Sequence, residues 1–203
     1  MIQGIILAAG RSSRFGSEKM LHTLANGRPM VIQSAINLLP AVDDLLVVVN
    51  PAQLAVLDCV QMNGMRALVS SNSSKGMGHS LADAVQATPD ADGWIVALGD
   101  MPFLTPQTAC RVAQKLVSGR RLVAPVCEGR RGHPVGFEGS MRSELSALSG
   151  DVGAQKLLRR HAADLALFPV NDVGSLQDID YIDDCLRLFT SEQIKSEQVD
   201  GTG

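Results

Sequence analysis

The chain has 203 residues, of which 45% are hydrophobic and 19% charged, the balance of a globular domain long enough to bury a core. Its 18 Lys and Arg against 21 Asp and Glu give a net charge of −3, which argues against broad nucleic-acid binding, because such proteins usually carry a basic surface. No apolar stretch approaches the ~20 residues that cross a bilayer, and the N-terminus lacks the pattern of a signal peptide. We therefore predict a cytoplasmic protein with neither nucleic-acid nor membrane partners.

Strand-length apolar runs alternate with segments of helical periodicity along the chain. The predicted strands are Ile5–Ala8, Leu45–Val49, Arg66–Val69, Trp94–Leu98, Leu122–Val126 and Leu165–Val170. The predicted helices are Met30–Leu39, Ala52–Met62, Ser80–Ala87, Gln107–Val117, Met141–Leu148, Gly153–His161 and Ile179–Leu188. Because alternating strands and helices form βαβ units, we predict a single-domain, Rossmann-like three-layer α/β fold with a mostly parallel sheet over residues 1–190. A polar, disordered tail is expected over residues 191–203.

The loops that follow the predicted strands hold most of the unusual residues of this chain. They are Ala9–Lys19, Asn50-Pro51, Ser70–Ser80, Gly99–Pro102 and Gly132–Pro134. In open α/β sheets, ligands bind beyond the carboxyl ends of the strands. This coincidence predicts a ligand site along that edge of the sheet.

The loop after the first strand has the features of a phosphate-binding segment. Residues 7–19 have the sequence L-A-A-G-R-S-S-R-F-G-S-E-K, which is neither a P-loop nor a Rossmann fingerprint. The small residues at positions 8–10 allow a ligand to approach the backbone, and Arg14 and Lys19 supply positive charge for phosphates. A solvated basic loop is the alternative, but small residues, cations and position coincide here and favour a nucleotide-phosphate site.

Two acidic segments are candidates for binding Mg²⁺. Asp100 follows a predicted buried strand, where a carboxylate beside phosphates can hold the cation, although Gly-Asp also forms turns. Asp178 and Asp180 would share one side of an extended segment. We favour Asp180 as a second metal ligand, and capping of the following helix by an acidic residue is the alternative.

Further polar, glycine-rich segments are candidates for binding the base and a second substrate. Residues 71–80 lead into a helix and could close over a nucleotide base, or form a surface loop. Asn50 could contact the ribose or base, or form an Asn-Pro turn. Residues 131–137 and 150–156 could form the second-substrate side of a cleft, where His133 either polarises an acceptor or makes a structural hydrogen bond.

Five motifs occur in the order typical of one enzyme family. They are Leu7–Lys19, Lys75–Leu81, Gly99–Pro102, Arg131–Pro134 and Gly150–Ala154. Together they resemble the MobA-like nucleotidyltransferases, and most closely the molybdenum cofactor cytidylyltransferases, over about residues 3 to 188. The resemblance implies a fold of the nucleotide-diphospho-sugar transferase type. It also implies transfer of CMP from CTP to the terminal phosphate of molybdopterin, usually carrying molybdenum, with release of pyrophosphate and with Mg²⁺ as the cofactor.

The resemblance also implies roles for individual residues. Arg14, Lys19 and Asp100 would be catalytic, and Asp100 and Asp180 would bind the metal. The implied nucleotide-binding residues are Leu7, Ala8, Ala9, Gly10, Arg11, Arg14, Lys19, Asn50, Asn72, Gly76, Met77, Ser80 and Asp100. The implied acceptor-binding residues are Gly132, His133, Pro134, Gly150, Asp151 and Gly153. A transient contact with a molybdoenzyme or its chaperone would follow product formation.

One position bears on the donor nucleotide, and one segment departs from the family pattern. The guanylyl branch typically has L-A-G-G at Leu7–Gly10, so Ala9 favours CTP over GTP. Relatives usually show D-x-D-T-P-E-D near the end, whereas residues 178–184 are D-I-D-Y-I-D-D, which keep both leading acids but lose the Thr-Pro helix start. The alternatives are GTP as donor, a sugar- or alcohol-phosphate acceptor, and a molybdopterin carrier or chaperone without turnover. Intact Arg14, Lys19 and Asp100 argue against a carrier.

Overall fold

The computed structural model describes residues 1–10 and 18–179. Its strands are β1 (Ile2–Leu7), β2 (Asp44–Val49), β3 (Arg66–Val69), β4 (Gly93–Leu98), β5 (Leu122–Cys127), β6 (Arg130–Arg131), β7 (Val135–Glu138) and β8 (Leu165–Pro169). Its α-helices are α1 (Met30–Leu38), α2 (Leu54–Met62), α3 (Met77–Gln86), α4 (Pro106–Val117), α5 (Arg142–Ser146) and α6 (Gln155–Arg160). Each predicted strand is present within a few residues of its predicted bounds.

The sheet is mostly parallel, as predicted. β1 lies between β2 and β4 and is parallel to both, β3 extends the sheet beyond β2, and β8 runs parallel to β5. β7 lies between β4 and β5 and is antiparallel to each, while β6 pairs with the end of β5. The prediction of a mostly parallel α/β sheet is therefore confirmed.

Helices cover both faces of the sheet because successive residues of a strand point to opposite sides. From β1 and the residue after it, Ile6 and Ala8 pack in one core with α1, α2 and α4. Ile5 and Leu7 pack in the second core with α3, α5 and α6. Because β1 is parallel to both β2 and β4, the carboxyl ends of these three strands lie side by side. The predicted binding loops begin there.

The sequence pattern does not predict β6 and β7. β6 consists of two exposed arginines, and β7 is four residues long with Gly136 inside it, so neither strand carries the apolar run expected of a buried strand. The glycine is required by α4, since a Cβ at Gly136 would lie 2.8 Å from side-chain atoms of both Val112 and Leu116. An antiparallel strand therefore occupies a position predicted as loop.

The helix starts show which boundary signals were reliable. α4 begins where its cap predicts: the Thr108 N–H donates to Thr105 Oγ1 over 3.4 Å, and Pro106 is the first helical residue. α3 begins at Met77 rather than at the predicted Ser80. Gly76 precedes it with φ +121°, so a backbone conformation reserved for glycine, rather than a side-chain cap, starts that helix.

The C-terminal predictions fall mostly beyond the described part of the chain. Of the helix predicted over residues 179–188, the structure describes only Ile179, and the predicted tail lies outside the described residues. Among the helices that are described, none is both long enough and apolar enough to cross a membrane.

Candidate active site

A cavity of about 400 Å³ opens beyond the carboxyl ends of β1 and β4. It is lined by Leu7, Ala9, Gly10, Met20, Ser73, Ser74, Gly76, Met77, Ser80, Leu98, Asp100 and Asp151. We call it the nucleotide cavity, because the lining combines three of the segments predicted to bind a nucleotide. A Cβ at Gly10 would meet no atom of residues 1–10 or 18–179 within 4 Å, so packing against these residues does not require the glycine, and its small size leaves room at the cavity wall.

Lys19 and Asp100 form an ion pair at this cavity. Lys19 Nζ donates to Asp100 Oδ2 over 2.8 Å, and the two side chains are only 9% and 18% exposed. Burial raises the pKa of the Asp100 carboxyl, an effect that the Lys19 ammonium opposes. The structure thus brings two of the predicted catalytic residues together, in surroundings that exclude most of the solvent and strengthen their electrostatic interactions.

Helix α1 holds the Asp100 loop from behind. Ser34 Oγ donates to the Gly99 carbonyl over 3.0 Å, and Asn37 Nδ2 donates to the Pro102 carbonyl over 2.8 Å. Both side chains are buried, and they lie three residues apart, on one face of the helix. These supports were not predicted from the sequence; the available signal was a pair of polar residues at helical spacing within the mostly apolar Met30–Leu38.

The donor set at Asp100 fits a divalent cation held jointly with phosphates. No group of three or more His, Cys, Asp or Glu side chains clusters anywhere in residues 1–10 and 18–179, so an all-protein metal cage is not formed there. Mg²⁺ is commonly held by one or two carboxylates together with substrate phosphates. Asp100 supplies one such carboxylate at the cavity wall. Its carbonyl also accepts the Ile179 N–H over 3.0 Å, which brings the start of the predicted acidic segment to this loop.

The segment before α3 is fixed through Asp83. Ser70 Oγ donates to Asp83 Oδ2 over 2.6 Å, and Asn72 Nδ2 donates to the same carboxylate over 3.1 Å. Asn72 was predicted to bind the nucleotide, but its amide faces Asp83 and it is not among the cavity-lining residues. Its neighbour Ser73 does line the cavity, and its buried Oγ has no hydrogen-bond partner among the described residues.

The residues at the start of α3 dock onto the loop around Gly150. The Gly78 N–H donates to the Gly150 carbonyl over 2.8 Å, and the Gly150 N–H donates to His79 Nδ1 over 3.2 Å. A Cβ at Gly76 would lie 2.4 Å from Asp151 Oδ1 and 2.5 Å from the Gly150 backbone. Two segments that the sequence assigned to different substrates therefore touch each other, and His79 serves this contact rather than the chemistry.

A second cavity of about 310 Å³ adjoins the first. The two share Leu7, Met77, Leu98 and Asp151 in their linings. The remaining lining residues of the second cavity are Leu81, Val96, Arg131, Gly132, His133, Val135, Phe137, Val152, Gly153, Ala154, Gln155 and Leu158. We call it the acceptor cavity, because four of the six residues predicted to bind the acceptor line it.

His133 is a half-buried polar residue of the acceptor cavity. Its backbone N–H donates to the Ser175 carbonyl over 2.8 Å, and its ring Nδ1 is buried without a hydrogen-bond partner among the described residues. Burial lowers the pKa of the imidazole. The lowered pKa favours the neutral ring, which suits it to hydrogen bonding rather than to charge neutralisation.

The remaining predicted site residues either lie outside the two cavity linings or fall outside the described part of the chain. Asn50 Oδ1 accepts the Ala52 N–H over 2.9 Å, which is the turn interpretation of that residue. Ala8, Pro134 and Gly150 are not lining residues of either cavity. Arg11, Arg14 and Asp180 lie outside the described residues.

Known proteins resemble this chain over most of its length. Nicotine blue oxidoreductase of Paenarthrobacter nicotinovorans is 28% identical over 93% of this chain and 96% of its own length. The probable molybdenum cofactor guanylyltransferase of Thermococcus sibiricus is 28% identical over 59% of this chain and 58% of its own length. Sequence similarity therefore extends to proteins whose names describe different activities.

Solved structures share the fold. The crystal structure of Rv0371c from Mycobacterium tuberculosis H37Rv superposes with a TM-score of 0.80 at 28% identity, covering 92% of this chain and 96% of that one. Its complex with manganese superposes with a TM-score of 0.77 at 27% identity, covering 94% and 98%. The sequence model of the MobA-like NTP transferase domain matches residues 4–165, and this chain therefore belongs to that family.

Proposed function

We propose that this protein transfers CMP from CTP to the terminal phosphate of molybdopterin, usually carrying molybdenum, and releases pyrophosphate. The observation that carries the proposal is the pair of adjoining cavities that share a wall. Nucleotidyl transfer needs a donor and an acceptor that meet at one phosphorus atom, and two adjoining cavities supply that arrangement. Membership of the MobA-like NTP transferase family supports the reaction class.

In the proposed reaction, an acceptor phosphate oxygen attacks the α-phosphorus of CTP in line with the departing pyrophosphate. The new P–O bond forms as the bond between the α-phosphorus and the bridging oxygen breaks, and that oxygen leaves with pyrophosphate. A phosphate nucleophile is already anionic at neutral pH, so no strong general base is needed. The protein then contributes mostly position and charge stabilisation.

The proposed roles follow from where the charged groups lie. Lys19 would stabilise the negative charge of the departing pyrophosphate, and Arg14, which lies outside the described residues, would do the same. Asp100 would hold Mg²⁺, the charge of which neutralises phosphate oxygens in the transition state, and Asp180 is kept as a proposed second ligand. The manganese complex of Rv0371c supports a divalent cation in a protein of this fold.

The choice of CTP rests on Ala9, which lines the nucleotide cavity. A specific observation favours the second candidate, a GTP-dependent transfer to the same acceptor: one relative is named as a probable molybdenum cofactor guanylyltransferase. A sugar- or alcohol-phosphate acceptor and a carrier without turnover are the remaining alternatives. Delivery of the product through transient contact with a molybdoenzyme or its chaperone belongs to the same proposal.

Pyrophosphate release tests the proposal directly. Purified protein is given each of the four nucleoside triphosphates with Mg²⁺, with and without molybdopterin, and the dinucleotide product is identified by mass. We expect release with CTP that depends on molybdopterin. Pyrophosphate release with GTP alone would establish the second candidate. Release that requires a sugar phosphate instead of molybdopterin would assign the protein a different class of acceptor. Nucleotide binding without release of pyrophosphate would indicate a carrier.

A further inference from the structure

The side chain of Gln53 joins two points that lie on either side of residues 11–17. Gln53 Nε2 donates to Glu18 Oε1 over 2.7 Å and to the Gly10 carbonyl over 3.4 Å. Gln53 Oε1 accepts the Asn50 N–H over 3.3 Å, so both ends of the amide are engaged. The residue is 9% exposed, and neither cavity includes it in its lining.

Both points that Gln53 holds are next to groups of the nucleotide cavity. Gly10 lines that cavity itself. Glu18 directly precedes Lys19, whose ammonium is bonded to Asp100. The bond from a neutral amide to a carboxylate is of the charge-assisted kind, which is the stronger class of hydrogen bond.

The backbone around Gln53 makes it a rigid anchor. Its N–H donates to the Asn50 carbonyl over 2.9 Å, and its own carbonyl accepts the N–H groups of Val56 and Leu57 over 3.1 Å each. It directly precedes α2 and lies at the end of the short segment that connects β2 to this helix. A side chain fixed at the junction of a central strand and a helix can hold a neighbouring loop at one position.

We propose that Gln53 is a positioning residue for nucleotide binding, acting by fixing Gly10 and Lys19 relative to the Asp100 loop. This inference rests on the proposed function for the identity of the ligand. When these groups are already in place, binding of the triphosphate carries a smaller cost in conformational entropy. Loss of the amide should therefore weaken phosphate binding while the acceptor cavity keeps its affinity.

The test uses calorimetric titration of the full chain with pyrophosphate and with CTP, each in the presence of Mg²⁺, neither of which needs the acceptor. Gln53→Ala should weaken both affinities by about tenfold, since a charge-assisted hydrogen bond is lost. Gln61 lies on α2, the helix that Gln53 precedes, and is exposed, so Gln61→Ala is the matched control and should bind within about twofold of wild type. In turnover, Gln53→Ala should raise the KM for CTP and leave the KM for the acceptor unchanged.

Exchanging the amide and the carboxylate between residues 53 and 18 distinguishes a positioning role of Gln53 from a general loss of stability. Gln53→Glu places a carboxylate against that of Glu18 and against the Gly10 carbonyl, and should weaken pyrophosphate binding more than Gln53→Ala. Adding Glu18→Gln restores a donor–acceptor pair with reversed polarity, and should recover most of the lost affinity. If a Gln53 variant fails to fold, Glu18→Ala removes the same bond from its other end and should give a similar loss.

The outcomes distinguish this inference from the proposed function. Wild-type affinity in a folded Gln53→Ala variant, or no recovery in the double variant, would overturn the positioning role alone. Pyrophosphate binding that depends on Gln53, without any turnover of CTP and molybdopterin, would support the positioning role and overturn the proposed reaction. A wild-type chain that binds neither pyrophosphate nor CTP would overturn both.

Discussion

The nucleotide cavity and the acceptor cavity share a wall but differ in what lines them. The first is bordered by Gly10, Ser73 and Ser74, with the Lys19–Asp100 pair at one side. The second has a floor of large apolar side chains, Leu81, Val96, Val135, Phe137 and Leu158, and its polar lining residues are Arg131, His133, Asp151 and Gln155. The nucleotide cavity offers charge and exposed backbone, and the acceptor cavity offers a larger apolar surface beside these polar groups.

This difference indicates how each half recognises its ligand. Charged ligands require groups held at fixed positions, because preorganised dipoles and charges are the ones that stabilise a transition state. The loops at the nucleotide cavity are accordingly held by polar side chains of the helices, among them the buried Ser34 and Asn37 and the half-buried Asp83. The apolar floor of the acceptor cavity recognises chiefly the shape of the ligand that it encloses. Changes on the nucleotide side should therefore affect turnover most, and changes on the acceptor side should be milder.

The largest effect is expected from Asp100→Asn. It keeps the shape of the side chain but removes the negative charge that would hold Mg²⁺ and that pairs with Lys19. Turnover should fall by roughly 10³-fold, the scale of losing a preorganised electrostatic contact, while affinity for the acceptor stays unchanged. The measurement is pyrophosphate release over a Mg²⁺ titration.

Asp90→Asn is the control for that variant, because Asp90 is exposed and lines neither cavity. It removes the same charge from the chain and should retain full activity. If Asp100→Asn released pyrophosphate at the wild-type rate, the assignment of Asp100 as the metal ligand would be wrong.

Gly76→Ala tests the contact between the two halves. Gly76 has φ +121° and ψ 167°, a region essentially confined to glycine, and a Cβ there would lie 2.5 Å from the Gly150 backbone. We expect the variant to lose about 2–4 kcal/mol of unfolding free energy from strain and overpacking together. It should also bind CTP and the acceptor more weakly, because Met77 and Asp151, the residues next to Gly76 and Gly150, line both cavities.

Gly129→Ala is the matched control for backbone strain. Gly129 also has positive φ, at +72°, but a Cβ there would meet nothing within 4 Å. Its cost should be limited to about 1–2 kcal/mol of left-handed backbone strain, measured by urea unfolding, without change in either affinity. Equal losses in the two variants would contradict a specific role for the docked loops.

The two halves of the chain also differ in how well the sequence predicts them. The parallel strands β1, β2 and β4 carry continuous apolar runs because both of their faces are buried, so their positions and the loops after them were predicted. Strand β7 is short and contains Gly136, which packing against α4 requires. A glycine within a four-residue strand interrupts the apolar pattern that would predict it. The strand is therefore recognised only from its tertiary packing.

For the candidate site as well, the sequence predicted some of the residues and not others. Residues with an unusual local sequence, such as Asp100 and Gly76, were predicted from it, and both line the nucleotide cavity. Residues that act from a distance in sequence were missed: Gln53 lies 43 residues from the Gly10 carbonyl that it contacts, and Ser34 lies 65 residues from that of Gly99. Their pairing is a product of the fold, and no short motif records it.

Asn37→Leu tests whether the supports of the Asp100 loop matter for turnover. The substitution nearly preserves side-chain size but removes the donor to the Pro102 carbonyl, which lies 2.8 Å from Nδ2. Leaving a buried carbonyl without its partner should cost about 1–3 kcal/mol of unfolding free energy. The kcat should fall roughly three- to tenfold through displacement of Asp100, with the KM for the acceptor unchanged.

Asn63→Leu provides the comparison for Asn37→Leu, since the Asn63 amide bonds to an exposed carbonyl at the end of α2. Its effect on stability should be smaller and its kcat that of wild type. A kcat for Asn37→Leu equal to wild type would show that the Asp100 loop keeps its position without α1.

The smallest effect concerns His133 and the pH dependence of stability. Because burial holds the pKa of this imidazole below its ordinary value of 6.5, the unfolded chain binds a proton at a higher pH than the folded chain does. The free energy of unfolding should therefore decrease as the pH falls below 6.5 and stop decreasing, as far as this group is concerned, below the folded pKa. His133→Gln removes the titrating group, so its stability should change less over the same range, as measured by urea unfolding in steps from pH 7.5 to 5. Parallel curves for the two proteins would mean that the ring takes up its proton as easily in the folded chain as in water. The acceptor cavity would then be a hydrated pocket, and the contrast with the nucleotide cavity would not hold.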